Sequence, residues 1–338
     1  MPSVKLLLSG LVAVAPVLAF LGALVYLDGY KLVPLRRVVL VVAAGVATAG
    51  ASYGVNALAF GAAGLDFASF SRWVSPLTEE LLKGAVIVAL VYLNRIGFLV
   101  DAAIFGFAVG SGFAVVENLY YLDQLRDAAV GTWIVRGFGT AIMHGGTTAI
   151  FAVMGLGVLE RWRRAGPAAF VPGFLLAAAL HSAYNHLSAS PAISMLAVLV
   201  VLPPLFHVVF RQSESAVSEW LGKGFDADAR MLQLINSGAL SDSPVGRYLH
   251  ALKAKLAGPV VADVLCYLRL YTELSLRAKG ILLMRENGFD VPIDEETTAK
   301  FAEMHYLERS IGRTGLLALK PLLRMSRKDL WQLYMLEK

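Results

Sequence analysis

The amino-acid sequence predicts an all-α protein: a polytopic membrane helical bundle of about seven transmembrane helices, followed by a helical C-terminal domain. Three observations carry this. Hydrophobic residues make up 57% of the 338 and charged ones 16%, with a mean hydropathy of +0.64, whereas soluble domains carry about 25% charged residues. The charge is also uneven: residues 1–211 hold 13 Lys+Arg and 9 Asp+Glu, and residues 212–338 hold 17 and 16. Finally, the first part is built from apolar runs long enough to cross roughly 30 Å of hydrocarbon at about 20 residues each.

Seven such runs are expected, near Val4 to Leu27, Arg37 to Ala62, Ser75 to Leu93, Leu99 to Leu122, Gly137 to Leu159, Ala168 to Leu187 and Ile193 to Phe210. The first is too long for a signal-peptide core of roughly 7–15 residues and ends in LDGYK without a small-residue cleavage site, so it is read as a retained helix. Small-residue stretches such as FGFAVGSGFA and GTAIMHGG read as surfaces for close helix packing. The bundle is assigned to residues 1–211 and a soluble helical domain to 212–338. In the latter, Val260, Val264, Tyr267, Leu268, Tyr271, Leu274, Ala278 and Ile281 recur at helical spacing with Gly288 as a stop, and Ser326 with Asp329 reads as a capping-box pair. The net charge of +5 is mixed in sign and no basic cluster is interleaved with aromatics, so nucleic acid is not an expected partner; the lipid bilayer is. The single cysteine, Cys266, allows no internal disulfide.

Lys31, Arg36, Arg37, Arg95, Arg161, Arg163, Arg164 and Arg211 fall in loops on one side, against Lys5, Arg72, Arg126 and Arg136 on the other. The positive-inside rule then puts the N-terminus outside and the C-terminal domain in the cytoplasm, as in a bacterial-type plasma membrane.

Polar residues inside the runs are expensive in lipid and tend to work. Glu79, Glu117, His144 and His181 lie on four different runs, yet at 1.5 Å per residue all four fall about 6–12 Å below the same external surface. Glu79 and Lys83 are spaced i,i+4 and are expected to pair, with Ser75 and Pro76 as N-cap and first-turn proline. His181 and Asn185 are also i,i+4 and present an imidazole and an amide on one helix face.

The stretches TEELLK, FAVVEN, MHGG and HSAYN together resemble the PrsW-type intramembrane proteases, a branch of the wider group that includes CAAX-prenyl endopeptidases and Abi proteins. Three motifs fall in the family's order on separate helices, Glu79 to Lys83, Phe113 to Asn118 and His181 to Asn185, and the resemblance spans roughly residues 1–210. Lys83 replaces the wider group's arginine, one residue earlier, and Glu117 stands where the CAAX enzymes have histidine, both as in the PrsW branch. The resemblance implies cleavage of a membrane-anchored protein near the external face, such as site-1 cleavage of an anti-sigma factor.

Peptide hydrolysis needs an activated water, a proton acceptor and an oxyanion donor. Glu117, His144 and His181 form a ligand set suited to zinc with an open position for water, leaving Glu79 as general base and Asn185 as oxyanion donor. A metal-free route, in which Glu79 and a histidine position the water, is the alternative, and so, in a different class, is a proton or metal-ion transporter using the same cluster. Glu80, about 100° round the helix from Glu79, is read either as a residue tuning the site or as a charge at the helix end. His186 reads as a packing residue, and His207, His250 and His305 lie away from this level.

Overall fold

The computed structural model describes residues 2–186, 190–289, 291–323 and 327–336. Leu187 and Ser326, named above as the end of the sixth run and a cap, lie outside them. The protein is all-α, with no strand among the described residues. In chain order the helices are α1 (Pro2–Leu27), α2 (Leu35–Ala63), α3 (Phe67–Trp73), α4 (Ser75–Tyr92), α5 (Leu99–Gln124), α6 (Val130–Val135), a π-helical segment (Arg136–Ala141), α7 (Ile142–Arg161), α8 (Val171–His186), α9 (Pro191–Asn236), α10 (Pro244–Leu252), α11 (Gly258–Glu286), α12 (Glu295–Leu319) and α13 (Arg327–Leu336). They form two compact units: Met1–Asp28 with Val33–Ser213, and Gly29–Leu32 with Glu214–Lys338.

Among the described residues, six stretches are long and apolar enough to cross a membrane: Val4–Leu27, Leu35–Ala63, Leu99–Gln124, Val130–Arg161, Arg164–His186 and Pro191–Asn236. The seventh expected run, α4, is not among them, because its 18 residues include Glu79, Glu80 and Lys83. It packs instead against α2, α7 and α8 inside the first unit. The last run also departs from expectation. The helix does not stop near Phe210 but continues to Asn236, because the sequence turns polar there without a helix breaker.

The hub of the first unit is α5, buried at every residue from Val100 to Ala114. Glycines let its neighbours approach. A Cβ on Gly112 would lie 2.0 Å from the Val42 carbonyl of α2, and one on Gly110 would lie 2.2 Å from the His144 carbonyl of α7. The backbone of α7 is thereby pressed against α5 at the residue that carries an imidazole.

In the second unit α11 is central. Val264, Tyr267, Leu268, Tyr271, Leu274, Ala278 and Ile281 are buried as their spacing predicts, and Val260 is half-buried. The helix ends before Gly288, whose φ of 81° favours glycine. Ser243 and Asp294 cap α10 and α12 by accepting from the backbone N–H of Gly246 and Thr297. The Gly29–Leu32 loop joins this unit through Tyr30, whose hydroxyl donates to Glu286 Oε1 at 2.8 Å. Burial, and then that bond, push the Tyr30 phenol up to about 12.

Candidate active site

The short α3 ends at Trp73, and α4 begins two residues later across Val74, itself in the right-handed helical region. Val74 therefore occupies the N-cap position expected of Ser75. Ser75 instead donates its hydroxyl to Glu79 Oε1, which also accepts from Asn56 Nδ2 of α2 at 3.3 Å. Glu79 Oε2 faces His181 Nε2 across 3.8 Å.

Lys83 does not pair with Glu79. Its ammonium, fully buried, lies 2.6 Å from Glu80 Oε1 and 3.1 Å from His144 Nδ1, with Phe113 beneath it at 4.8 Å. Both i,i+3 and i,i+4 partners share a helix face, and here the inward side, where a charge needs a counter-charge, selects Glu80. That residue is no charge at a helix end: it is 1% exposed and sits at the centre of the network. Glu80 Oε1 also meets His181 Nδ1 at 2.9 Å and accepts from Thr147 Oγ1 at 3.1 Å.

His144 and His181 stack edge to face with ring centroids 4.6 Å apart. Their partners set their tautomers. His181 gives its Nδ1 hydrogen to Glu80, leaving the Nε2 lone pair toward Glu79. His144 receives from the Lys83 ammonium at Nδ1, so its hydrogen lies on Nε2 and goes to Glu117 Oε2 at 2.7 Å. The other oxygen of Glu117 forms an ion pair with Arg136 Nη2 at 3.2 Å. Arg136 lies over the Tyr121 ring at 4.1 Å and donates from Nε to Asn118, which holds the Ala13 carbonyl of α1.

Glu79, Glu80, Glu117, His144 and His181 are thus joined by direct contacts. Asn185 is placed otherwise: its amide donates to the Ser71 carbonyl at 3.0 Å and ties α8 to α3. His186 packs on Trp73, as expected of a packing residue. Asn56, Thr147, Thr148 and Arg136 join this network without being among the expected site residues. The threonines follow His144 at i+3 and i+4, a same-face spacing that carried the signal; Arg136 was counted only as a loop charge.

Among the described residues, Glu79, His144 and His181 bring three donor atoms within 4.8 Å of one another, able to share one ion. This trio differs by one carboxylate from the expected Glu117, His144 and His181. Exposure is graded across the site. His144 and His181 are 1% and 2% exposed, while the side chains of Glu79 and Glu117 are 13% and 26% exposed, so the carboxylates are the more open side of the cluster.

A bundle of apolar helices that collects carboxylates and imidazoles beneath its surface defines a polytopic membrane protein with a buried acid–imidazole centre. Residues 33–210 match the family described as PrsW family intramembrane metalloprotease. The chain belongs to that family, and is a membrane-embedded protease whose substrates are membrane proteins. Comparison with curated proteins and with solved structures gave no match.

Proposed function

We propose that the protein hydrolyses a peptide bond of a membrane-anchored substrate near the external face, with Glu79 taking the proton of the attacking water. The observation that carries this is the 3.8 Å gap between Glu79 Oε2 and His181 Nε2. Two lone pairs face each other there, spaced to bracket a water. Both oxygens of Glu117 are engaged by His144 and Arg136, which makes it the poorer base. Glu80 and Lys83 hold His181 in the tautomer that leaves Nε2 open. Asn185 spends one amide hydrogen on Ser71 and has a second to offer an oxyanion.

The same carboxylate and two imidazoles also lie at a spacing that fits zinc; His144, His181 and Glu79 would then hold the ion, with Glu79 a ligand instead of the free base, and the carboxylate behind His181 is the support such ligands use. A bound zinc ion would polarise the scissile carbonyl and acidify water. The expected substrate is an anti-sigma factor or a similar membrane-anchored protein. The N-terminus is placed outside and residues 212–338 in the cytoplasm; a cysteine introduced at Asp123 should react with an impermeant thiol reagent in intact cells, and one at Arg164 should not.

The test replaces Glu79 by Gln, which keeps the shape and removes the base. Turnover should fall by at least about 1,000-fold, toward the upper end of a general-base contribution, at normal expression. If Glu79 is a ligand, the zinc content of the purified protein, expected at about one equivalent, falls with it, whereas Glu117→Gln leaves zinc in place. Zinc lost from Glu117→Gln and kept in Glu79→Gln restores the ligand set expected from sequence. Normal turnover of Glu79→Gln removes the proposal.

A further inference from the structure

Between α7, α8 and the start of α9 lies a cavity of about 270 Å³, lined by Met143, Thr147, Leu180, Tyr184, Ala197 and Val201 among others. Its walls are almost wholly apolar. It adjoins the catalytic cluster. Met143 precedes His144, Leu180 precedes His181 and Tyr184 precedes Asn185, and Thr147 lines the cavity while donating to Glu80 at 3.1 Å.

Two glycines shape it. A Cβ on Gly146 would lie 2.5 Å from Leu202, so its absence lets α9 form the far wall. A Cβ on Gly139 would lie 2.3 Å from the Tyr184 hydroxyl, so the bare backbone there seats the tyrosine, whose oxygen is 3.4 Å from Thr140. At its rim Leu180 and Val201 are 41% and 60% exposed. The cavity therefore opens sideways, on apolar helix faces of the kind that meet lipid.

We propose that this cavity is the subsite for an apolar side chain of the substrate next to the scissile bond, with Leu180, Ala197 and Val201 setting its size. This rests on the hydrolytic reading of the adjacent cluster. Both histidines are buried, so a segment of a membrane protein reaches them from the side, and this cavity is an apolar opening continuous with the Glu80 network through Thr147. The volume lies just below the roughly 300–1,000 Å³ of small-molecule pockets. That size suits a side chain presented by a peptide rather than a separate ligand. A lipid acyl chain is the competing occupant.

The test compares new N-termini of membrane proteins in cells carrying the full-length wild type, Ala197→Phe, Leu180→Ala, or Glu79→Gln as the inactive control. Hydrophobic pockets discriminate about 10–200-fold for a methylene group. Ala197→Phe, which fills the cavity, should deplete cuts flanked by Leu or Phe at one fixed position by about tenfold or more relative to cuts flanked by Ala or Gly. Leu180→Ala, which enlarges it, should shift the same position toward larger residues. If Ala197→Phe is poorly folded, the shift in Leu180→Ala decides alone. A residue profile unchanged in Leu180→Ala, whatever the yield, overturns the subsite and leaves the cavity to lipid. A wild type with no cuts beyond those of Glu79→Gln overturns the hydrolytic reading itself, and the subsite with it.

Discussion

Each unit of this protein buries one lysine almost completely, and the two are built alike. Lys83 is 2.6 Å from Glu80 and 4.8 Å over Phe113; Lys279 is 2.6 Å from Asp228 and 4.9 Å over Trp220. Room for Lys279 is made by Gly224, where a Cβ would lie 2.5 Å from its chain. What differs is what each network reaches. Lys279 also donates to Gln332 at 2.9 Å, and Gln332 donates to Ser275 at 3.0 Å, a path through an amide and a hydroxyl. Lys83 leads instead to His144 and, through Glu80, to His181, both with further partners among partly exposed carboxylates. A buried charge is therefore not itself a mark of function. A buried charge that fixes which nitrogen of an imidazole holds the hydrogen is one.

The largest expected effect separates the two lysines. Removing one partner of a buried pair costs roughly 3–5 kcal/mol, so Lys279→Met should destabilise the second unit while turnover per folded molecule stays within about twofold. Lys83→Met should cost similar stability and also roughly 100-fold or more in turnover, the scale of a lost acid–base contribution. Removing the counter-charges, in Lys279→Met/Asp228→Leu and Lys83→Met/Glu80→Leu, should recover stability in both pairs but not the turnover lost with Lys83. Normal turnover in the latter double variant would make the two lysines equivalent and end the contrast.

A smaller effect sharpens it. The planar guanidinium of Arg136 lies over Tyr121 while bonding Asn118 and pairing with Glu117, and an ammonium cannot hold all three. Arg136→Lys should lower kcat/KM by about tenfold, an estimate from the loss of one charge-assisted contact of roughly 1.5 kcal/mol, with thermal stability little changed. An unaltered kcat/KM would reduce Arg136 to an anchor between helices.

The smallest effect belongs to the surface of the second unit. Burial works to raise the Glu273 carboxyl, but hydrogen bonds from Arg269 and Lys300 outweigh it and hold the group below its ordinary value. A depressed carboxyl contributes stability that is present above about pH 4.3, the ordinary Glu value, and is lost as pH falls through the folded one. Amide protection in α11 and α12 should drop on acidification through that window, by an amount worth less than about 1 kcal/mol. Glu273→Gln should remove that part of the pH dependence.

Much of this was legible in the sequence. Apolar runs gave the helices, and depth counted at 1.5 Å per residue put Glu79, Glu117, His144 and His181 on one level, where the structure joins them. Azimuth was not legible. Whether Lys83 meets Glu79 or Glu80, and which carboxylate completes a trio with the histidines, depends on how each helix is rotated against its neighbours, and that is decided by packing such as Gly110 on His144. The continuation of α9 past Phe210 escaped for a different reason: hydropathy changes there while helix-forming residues do not.

The π-helical segment Arg136–Ala141 has a consequence for chain length. It holds Gly137, whose missing side chain admits the Val12 carbonyl at what would be 2.0 Å from a Cβ. Wide turns of this kind hold one residue more than an α-helical turn and occur often at functional sites. The wide turn takes up that extra residue, so a chain one residue shorter would keep the flanking phase by closing the turn, whereas the same residues wound as a plain α-helix would rotate everything before it by about 100°. Arg136 would swing off Glu117 while His144 kept its place on α7. The arginine and the imidazole are thus held in phase by the width of one turn rather than by their identities.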